Sequence, residues 1–183
     1  MGSLREAKLI GGLGALLSLL DFLPHVGIPF SVLGALLIIV AVKYIADEVR
    51  DYTVFRDILI GVIAKVLGAV VALALVVRTA INTIFRGFKG MDLIALLVSM
   101  AAAVIVAWVF LIVGSVYVKK GYDKISRHTG VGLFGTAATL YLIGSLLLIL
   151  LVGALLVPIA KILELAAYLS LPEEVRRPYV VES

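Results

Sequence analysis

Cysteine is absent from this chain, histidine occurs twice and tryptophan once. No disulfide, thiolate nucleophile or Cys-ligated metal is therefore open to it, and cysteine usage says nothing about compartment. Charged residues make up only 15% of the 183 positions. The longest polar stretches run to about a dozen residues, too short to fold as a soluble domain. Also missing are a phosphate-cradling glycine loop, an HExxH helix, a nucleophile elbow and a close carboxylate pair deep in an apolar run. Little remains for acid–base, metal or covalent chemistry, so the expectation is a protein that is not an enzyme and holds no cofactor or metal. The net charge is +4, but no basic cluster interleaves with aromatics, so no nucleic-acid partner is expected.

What the chain does have is apolar length. Hydrophobic residues make up 63% of it, and the excess sits in long runs. The clearest are Pro29 to Ile45, Ile58 to Val77, Leu93 to Val118 and Val131 to Ala160. Each reaches or approaches the ~20 apolar residues that a helix needs to cross ~30 Å of hydrocarbon. Helices satisfy every backbone donor and acceptor internally where no water is present. Barrel strands would alternate apolar and polar residues, and these runs do not. The expected fold is all-α: a polytopic transmembrane helix bundle of about five spans in the lipid bilayer of a cell.

The spans are placed near 7–23, 29–45, 58–77, 91–118 and 131–158, with a tail helix at 159–171. Residues 1–172 form one domain, and 173–183 read as a polar C-terminal tail. Arg5 and Lys8 before the run Leu9 to Leu20 resemble a signal peptide, but no small-x-small site follows, so an uncleaved first span is expected. It either crosses fully or dips in and returns. With five spans, Arg5, Lys8, Lys43, Arg50, Arg56, Lys119, Lys120, Lys124 and Arg127 share one side. Arg78, Arg86, Lys89, Lys161, Arg176 and Arg177 share the other. The richer side is cytoplasmic by the positive-inside rule, which puts the N-terminus in the cytoplasm and the C-terminus outside.

Few residues stand out as sites. Lys65 lies within the third run with apolar residues on both sides. A charge at mid-membrane is costly and marks a function by default. Its stem can also snorkel toward the cytoplasmic edge, or its ammonium can meet a buried polar partner. Asp21 and His25 flank the first turn, where a His beside a carboxylate could relay protons or simply be solvated. Lys161 and Glu164 sit three apart on one helical face and can pair with each other. Ala64, Gly68 and Ala72, and likewise Ala95, Ser99, Ala103 and Ala107, form small-xxx-small stripes that suit close helix packing. The loop with Asp47, Glu48, Asp51 and Asp57 is acidic, and the one with Lys119, Lys120, Lys124 and Arg127 is basic. These loops either pair with each other or the basic one faces anionic headgroups.

Several segments resemble a known family. They are Ala7-Lys-Leu-Ile-Gly-Gly-Leu-Gly-Ala, Ala41-Val-Lys-Tyr-Ile-Ala-Asp-Glu and Tyr122-Asp-Lys-Ile-Ser-Arg-His-Thr-Gly. With Leu133-Phe-Gly-Thr-Ala-Ala-Thr-Leu-Tyr-Leu-Ile-Gly and Ala166-Ala-Tyr-Leu-Ser-Leu-Pro, they look like an archaeal multi-pass membrane family known only as a domain of unknown function. The resemblance implies an archaeal cell membrane and no particular activity. The first functional expectation is a structural or accessory role, as a subunit of a membrane complex or as a homo-oligomer. The alternative is a small-molecule or ion transporter or channel.

Overall fold

The computed structural model describes residues 4–20, 27–86, 90–150 and 152–173. Among them are six α-helices and no strand. The helices are α1 (Leu4–Leu19), α2 (Gly27–Glu48), α3 (Tyr52–Arg86), α4 (Gly90–Thr129), α5 (Leu133–Leu147) and α6 (Gly153–Leu169). Four stretches are long and apolar enough to cross a membrane: Pro29–Glu48, Tyr52–Phe85, Leu93–Thr129 and Leu133–Leu150. Helices α1 and α6 have 16 and 17 residues. At 1.5 Å per residue they span only ~24–26 Å, short of a full ~30 Å hydrocarbon core.

Each helix packs on its neighbours in sequence, and α6 closes the ring against α1. The pairs α1–α2, α3–α4 and α5–α6 are the tightest, so the fold is three helical hairpins. Each is joined where two glycines meet. A Cβ on Gly14 would lie 2.8 Å from the Gly34 carbonyl oxygen, and Gly34 would meet Gly14 in the same way at 2.6 Å. Gly61 faces Gly114, and Gly153 faces Gly144. Such contacts let membrane helices associate through dispersion and close backbone approach, with no hydrophobic effect between them.

The expected fifth span at 131–158 is two helices instead. α5 ends at Leu147, a tight 3₁₀ turn covers Leu148–Leu150, and α6 starts at Gly153. Every residue of this turn is apolar, so no polar marker announces it; the Gly144–Gly153 contact is what lets the backbones reverse so closely. Pro158, expected to end a helix, lies inside α6. The reversal also corrects where the chain finishes. Lys8 Nζ donates to the Leu171 carbonyl at 3.4 Å, so the end of α6 lies beside the start of α1, not across from it. This end also carries the α2–α3 turn and the α4–α5 junction, since His128 reaches Asp51 at 3.3 Å; it is the near end below.

At the near end Arg50 takes a left-handed conformation (φ 54°) and lets α2 reverse into α3. Asp51 then caps α3, its Oδ1 accepting from the Thr53 backbone N–H at 2.9 Å and from the Thr53 hydroxyl at 2.6 Å. Gly130 (φ 75°) stops α4. The core gathers in this half: Leu4 and Ala7 of α1, Val42 and Ile45 of α2, Val54 and Ile58 of α3 and Ile125 of α4 are all buried. Phe134 stacks edge-on between Tyr122 and Tyr168, with ring centroids 5.5 and 5.0 Å apart. Such pairs contribute about 0.5–1.5 kcal/mol each beyond their burial.

The other half of α3 and α4 stands apart. Trp108 Nε1 donates to the Ser145 carbonyl at 2.8 Å, which marks where α5 stops against α4. From Trp108 back to Gly90, α4 continues for about 18 residues, ~27 Å, packed along α3. There Val70, Leu73, Ile81 and Ile84 of α3 and Leu93, Ile94, Leu97 and Val104 of α4 are exposed. Ser99 and Thr79 clasp the two helices, their hydroxyls 2.8 Å apart.

Candidate functional site

Helix α6 presents Lys161, Glu164 and Tyr168 on one face at positions i, i+3 and i+7. The ring geometry turns that face inward, between α1, α4 and α5. Glu164 is 4% exposed. Its two carboxylate oxygens accept from two different helices: Oε1 from the Tyr122 hydroxyl of α4, and Oε2 from the Tyr141 hydroxyl of α5 at 2.6 Å. Charge-assisted bonds of this kind are about twice as strong as neutral ones. They also offset part of the cost of burying a carboxylate.

Two ammonium groups act on this carboxylate electrostatically. Lys161 is one, and it donates to the Ser18 carbonyl at 2.6 Å. Ser18 belongs to the last turn of α1, where unpaired carbonyls and the helix dipole favour a cation. Lys65 of α3 is the other. Its stem lies across Gly114 of α4, where a Cβ would come within 2.5 Å of Lys65 Cγ. Its Nζ stands 5.8 Å from the centre of the Tyr141 ring, at cation–π distance. Among the described residues the buried Tyr168 hydroxyl, beside Tyr122, has no hydrogen-bond partner. Five helices thus contribute to one polar cluster inside an otherwise apolar body. It can hold a charge, orient an acceptor and present an ammonium.

A second network lies at the near end. Lys124 Nζ reaches Asp57 Oδ2 and Thr53 Oγ1, both at 2.6 Å, and so ties α4 to α3. Arg56 adds a contact to Asp57 at 3.3 Å. The Asp51 carboxyl is held below its ordinary range, foremost by the Thr53 hydroxyl. Lys124 thus links the basic segment to the acidic one. Lys119 turns instead to Asp123 on its own helix at 2.6 Å, Lys120 lies over the Tyr117 ring at 4.8 Å, and Arg127 donates to the Asp123 carbonyl at 3.3 Å. The basic segment is helical, because α4 runs to Thr129, and the acidic one is helical except for the turn at Val49–Asp51 between α2 and α3.

A family model described as "Protein of unknown function (DUF996)" matches residues 30–162, most of the chain. The chain belongs to this family. It is also similar to a protein of the archaeon Methanocaldococcus jannaschii, "Uncharacterized protein MJ1644", at 35% identity over 174 residues, 94% of this chain and 96% of that one. No solved structure matches. Lys65, Tyr122, Tyr141 and Lys161 fall within the DUF996 match, and Glu164 lies two positions past its end.

The remaining sequence candidates are placed as follows. Asp21 and His25 lie outside the described residues. Gly68 is buried against Phe110, and Ala103 is buried. Ala64, Ala72, Ser99 and Ala107 are half-buried, whereas Ala95 is exposed. A backbone-to-backbone α3–α4 contact runs through Gly61 and Gly114, off both expected stripes. In the sequence Glu164 stands only as a partner for Lys161, and nothing there singles out Tyr122, Tyr141, Tyr168 or Ser18 as its surroundings. The available signal was the i, i+3, i+7 spacing of Lys161, Glu164 and Tyr168, which puts two charges and a phenol on a single face.

Proposed function

We propose that the protein is a multi-pass protein of the archaeal cell membrane with a structural or accessory role, as a subunit of a larger membrane complex or as a homo-oligomer. The observation that carries this reading is the projecting α3–α4 hairpin, with apolar side chains exposed on many sides: only 11% and 6% of the most apolar stretches of α3 and α4 are buried. Lipid and other membrane helices are the partners that fit such a surface. The near end faces the cytoplasm in this reading, because Arg5, Lys8, Lys43, Arg50, Arg56, Lys119, Lys120, Lys124 and Arg127 gather there. No nucleic acid, cofactor or catalysed reaction enters it. Native mass spectrometry of the protein extracted from its source membrane in mild detergent tests the role. A reproducible complex, with other subunits or with itself, supports it; a lone monomer overturns it.

The Glu164 cluster favours a second reading, a small-molecule or ion transporter. A carboxylate and two ammonium groups inside a bundle of membrane-spanning length are the kind of group that marks a substrate or ion path. Lys65→Leu separates the two readings. A transporter loses flux while staying folded, and an accessory protein keeps its assembly.

A further inference from the structure

Below Lys65 an apolar groove runs along α4. Its floor follows one helical face through Leu111, Ala107 and Val104, and Gly114, under the Lys65 stem, lies three residues beyond Leu111 on α4. Leu148 and Ile149 of the α5–α6 turn form its wall, and a cavity of about 210 Å³ lies between them. Trp108 lines it with its ring, because its only polar atom is taken by the Ser145 carbonyl. A dry cavity of ~150 Å³ already holds benzene, so this one holds a longer stretch of hydrocarbon.

The head of the groove has the opposite character. The Lys65 stem crosses Gly114, and Nζ lies over Tyr141, one turn along α5 from Ser145. Among the described residues this ammonium has a ring face and the field of Glu164, but no hydrogen-bond acceptor. It carries three donors in an apolar segment, where unmet donors are costly. We infer that the groove binds a single-chain amphiphile with a carboxylate head, the head on Lys65 and the chain along Leu111, Ala107 and Val104 beside Trp108. A bilayer phospholipid fits less well. Lys65 is eight residues past Asp57, ~12 Å inward from the near-end charges, and a headgroup held in interfacial water does not reach it. The inference stands apart from the accessory role and does not depend on it.

Trp108 is the chain's one tryptophan, so its fluorescence reports this site directly. The test uses the full chain reconstituted in bilayers and titrated with a stearate brominated in mid-chain, which quenches tryptophan on contact. Its methyl ester, with the same chain and no charge, is the comparison. The expected result is saturable quenching, with the acid binding about tenfold or more tightly than the ester, the scale of one charge-assisted contact. Lys65→Met should remove the preference for the acid. Ala107→Leu, which fills the groove, should remove saturable quenching by either probe. Equal affinity of acid and ester in the parent protein, or an acid preference that survives in Lys65→Met, overturns the inference. If Lys65→Met does not fold, the parent comparison and Ala107→Leu still decide it.

Discussion

Gly61 and Gly114 cross so closely that a Cβ built on either would lie 2.6 Å from the other's carbonyl oxygen. Backbone is on both sides of this contact, so no side chain can swing away to make room. Gly61→Ala should therefore push α3 from α4 and destabilise the protein by ~1–3 kcal/mol, as overpacking does. Gly114→Ala should cost a similar amount, since its Cβ would also meet the Lys65 stem at 2.5 Å, as that of Gly61→Ala would meet the Val118 side chain at 2.8 Å. At Gly132 a Cβ meets nothing within 4 Å, so Gly132→Ala is the control and should leave thermal unfolding in detergent unchanged.

Lys124 and Asp57 hold the same two helices from the near end. Asp57 is nearly buried, with 7% of its side chain exposed, whereas Lys124 keeps 26%. Lys124→Ala leaves the buried carboxylate short of its main partner and should cost ~1.5–3 kcal/mol, the range for hydrogen bonds to charged groups. Lys120 lies over its own helix's Tyr117, so Lys120→Ala should fall within about 0.5 kcal/mol of the parent. Equal losses for both would mean that general charge balance, not the Lys124–Asp57 contact, stabilises this end.

Stability should also depend on pH through Asp51. Its carboxyl is held low in the folded protein, first by the Thr53 hydroxyl, so the unfolded chain takes up its proton more readily. The contribution is complete above the ordinary carboxylate range and is lost as pH falls toward the folded value. The melting temperature should thus decline between about pH 5 and pH 3. Asp51→Asn keeps a capping oxygen but does not titrate, and it should flatten that decline. An acid limb as steep as the parent's would assign the effect to other carboxylates.

What the sequence showed and what it hid follow from range. Apolar runs are local, so the apolar ends of α2 and α4 are legible within a few residues, whereas α3 runs nine residues past the expected Val77, through Arg78 to Arg86. Their charged ends resemble loops in the sequence, because Asp57, Lys119 and Lys124 look like the limits of a span. They are helical because Lys124 and Asp57 pair across α3 and α4, a contact between residues 67 apart in the chain. The break at Leu148–Leu150 was hidden by its own apolarity, and only Gly144 and Gly153 flanked it. The surroundings of Glu164 were the least legible. They come from α3, α4, α5 and α1, and nothing local to α6 names Tyr122 or Tyr141 as its donors.

Glu164 is a structural keystone by this geometry, whatever else it does. Glu164→Leu would leave the Tyr122 hydroxyl buried without its acceptor and Lys161 and Lys65 without their shared carboxylate. Removing one member of a buried charged set costs ~3–5 kcal/mol, so the variant should unfold far more easily. Tyr141→Phe removes one donor and leaves the other, and should cost only ~1–3 kcal/mol. Thermal unfolding of both in one detergent checks the order; a Glu164→Leu variant as stable as Tyr141→Phe would remove the cluster from the set of interactions that hold the ring closed.

The reversal at Leu148–Leu150 makes a prediction about sides that any odd number of crossings contradicts. The chain has no cysteine, so single cysteines can be placed without background. Arg50 and Ser170 are exposed at the near end, and Phe85, 85% exposed, is at the tip of the projecting hairpin. With α6 running back toward Lys8, Arg50→Cys and Ser170→Cys should react with an impermeant maleimide from the same face of sealed vesicles. Phe85→Cys should react from the other, because α3 carries the chain across between them. Inverted vesicles should exchange the two patterns, and the proposed orientation expects the near end on the cytoplasmic face. If Ser170→Cys reacted together with Phe85→Cys, α5 and α6 would have to form one continuous crossing. The Lys8–Leu171 and Lys161–Ser18 contacts, which join α6 to α1, could not then both exist.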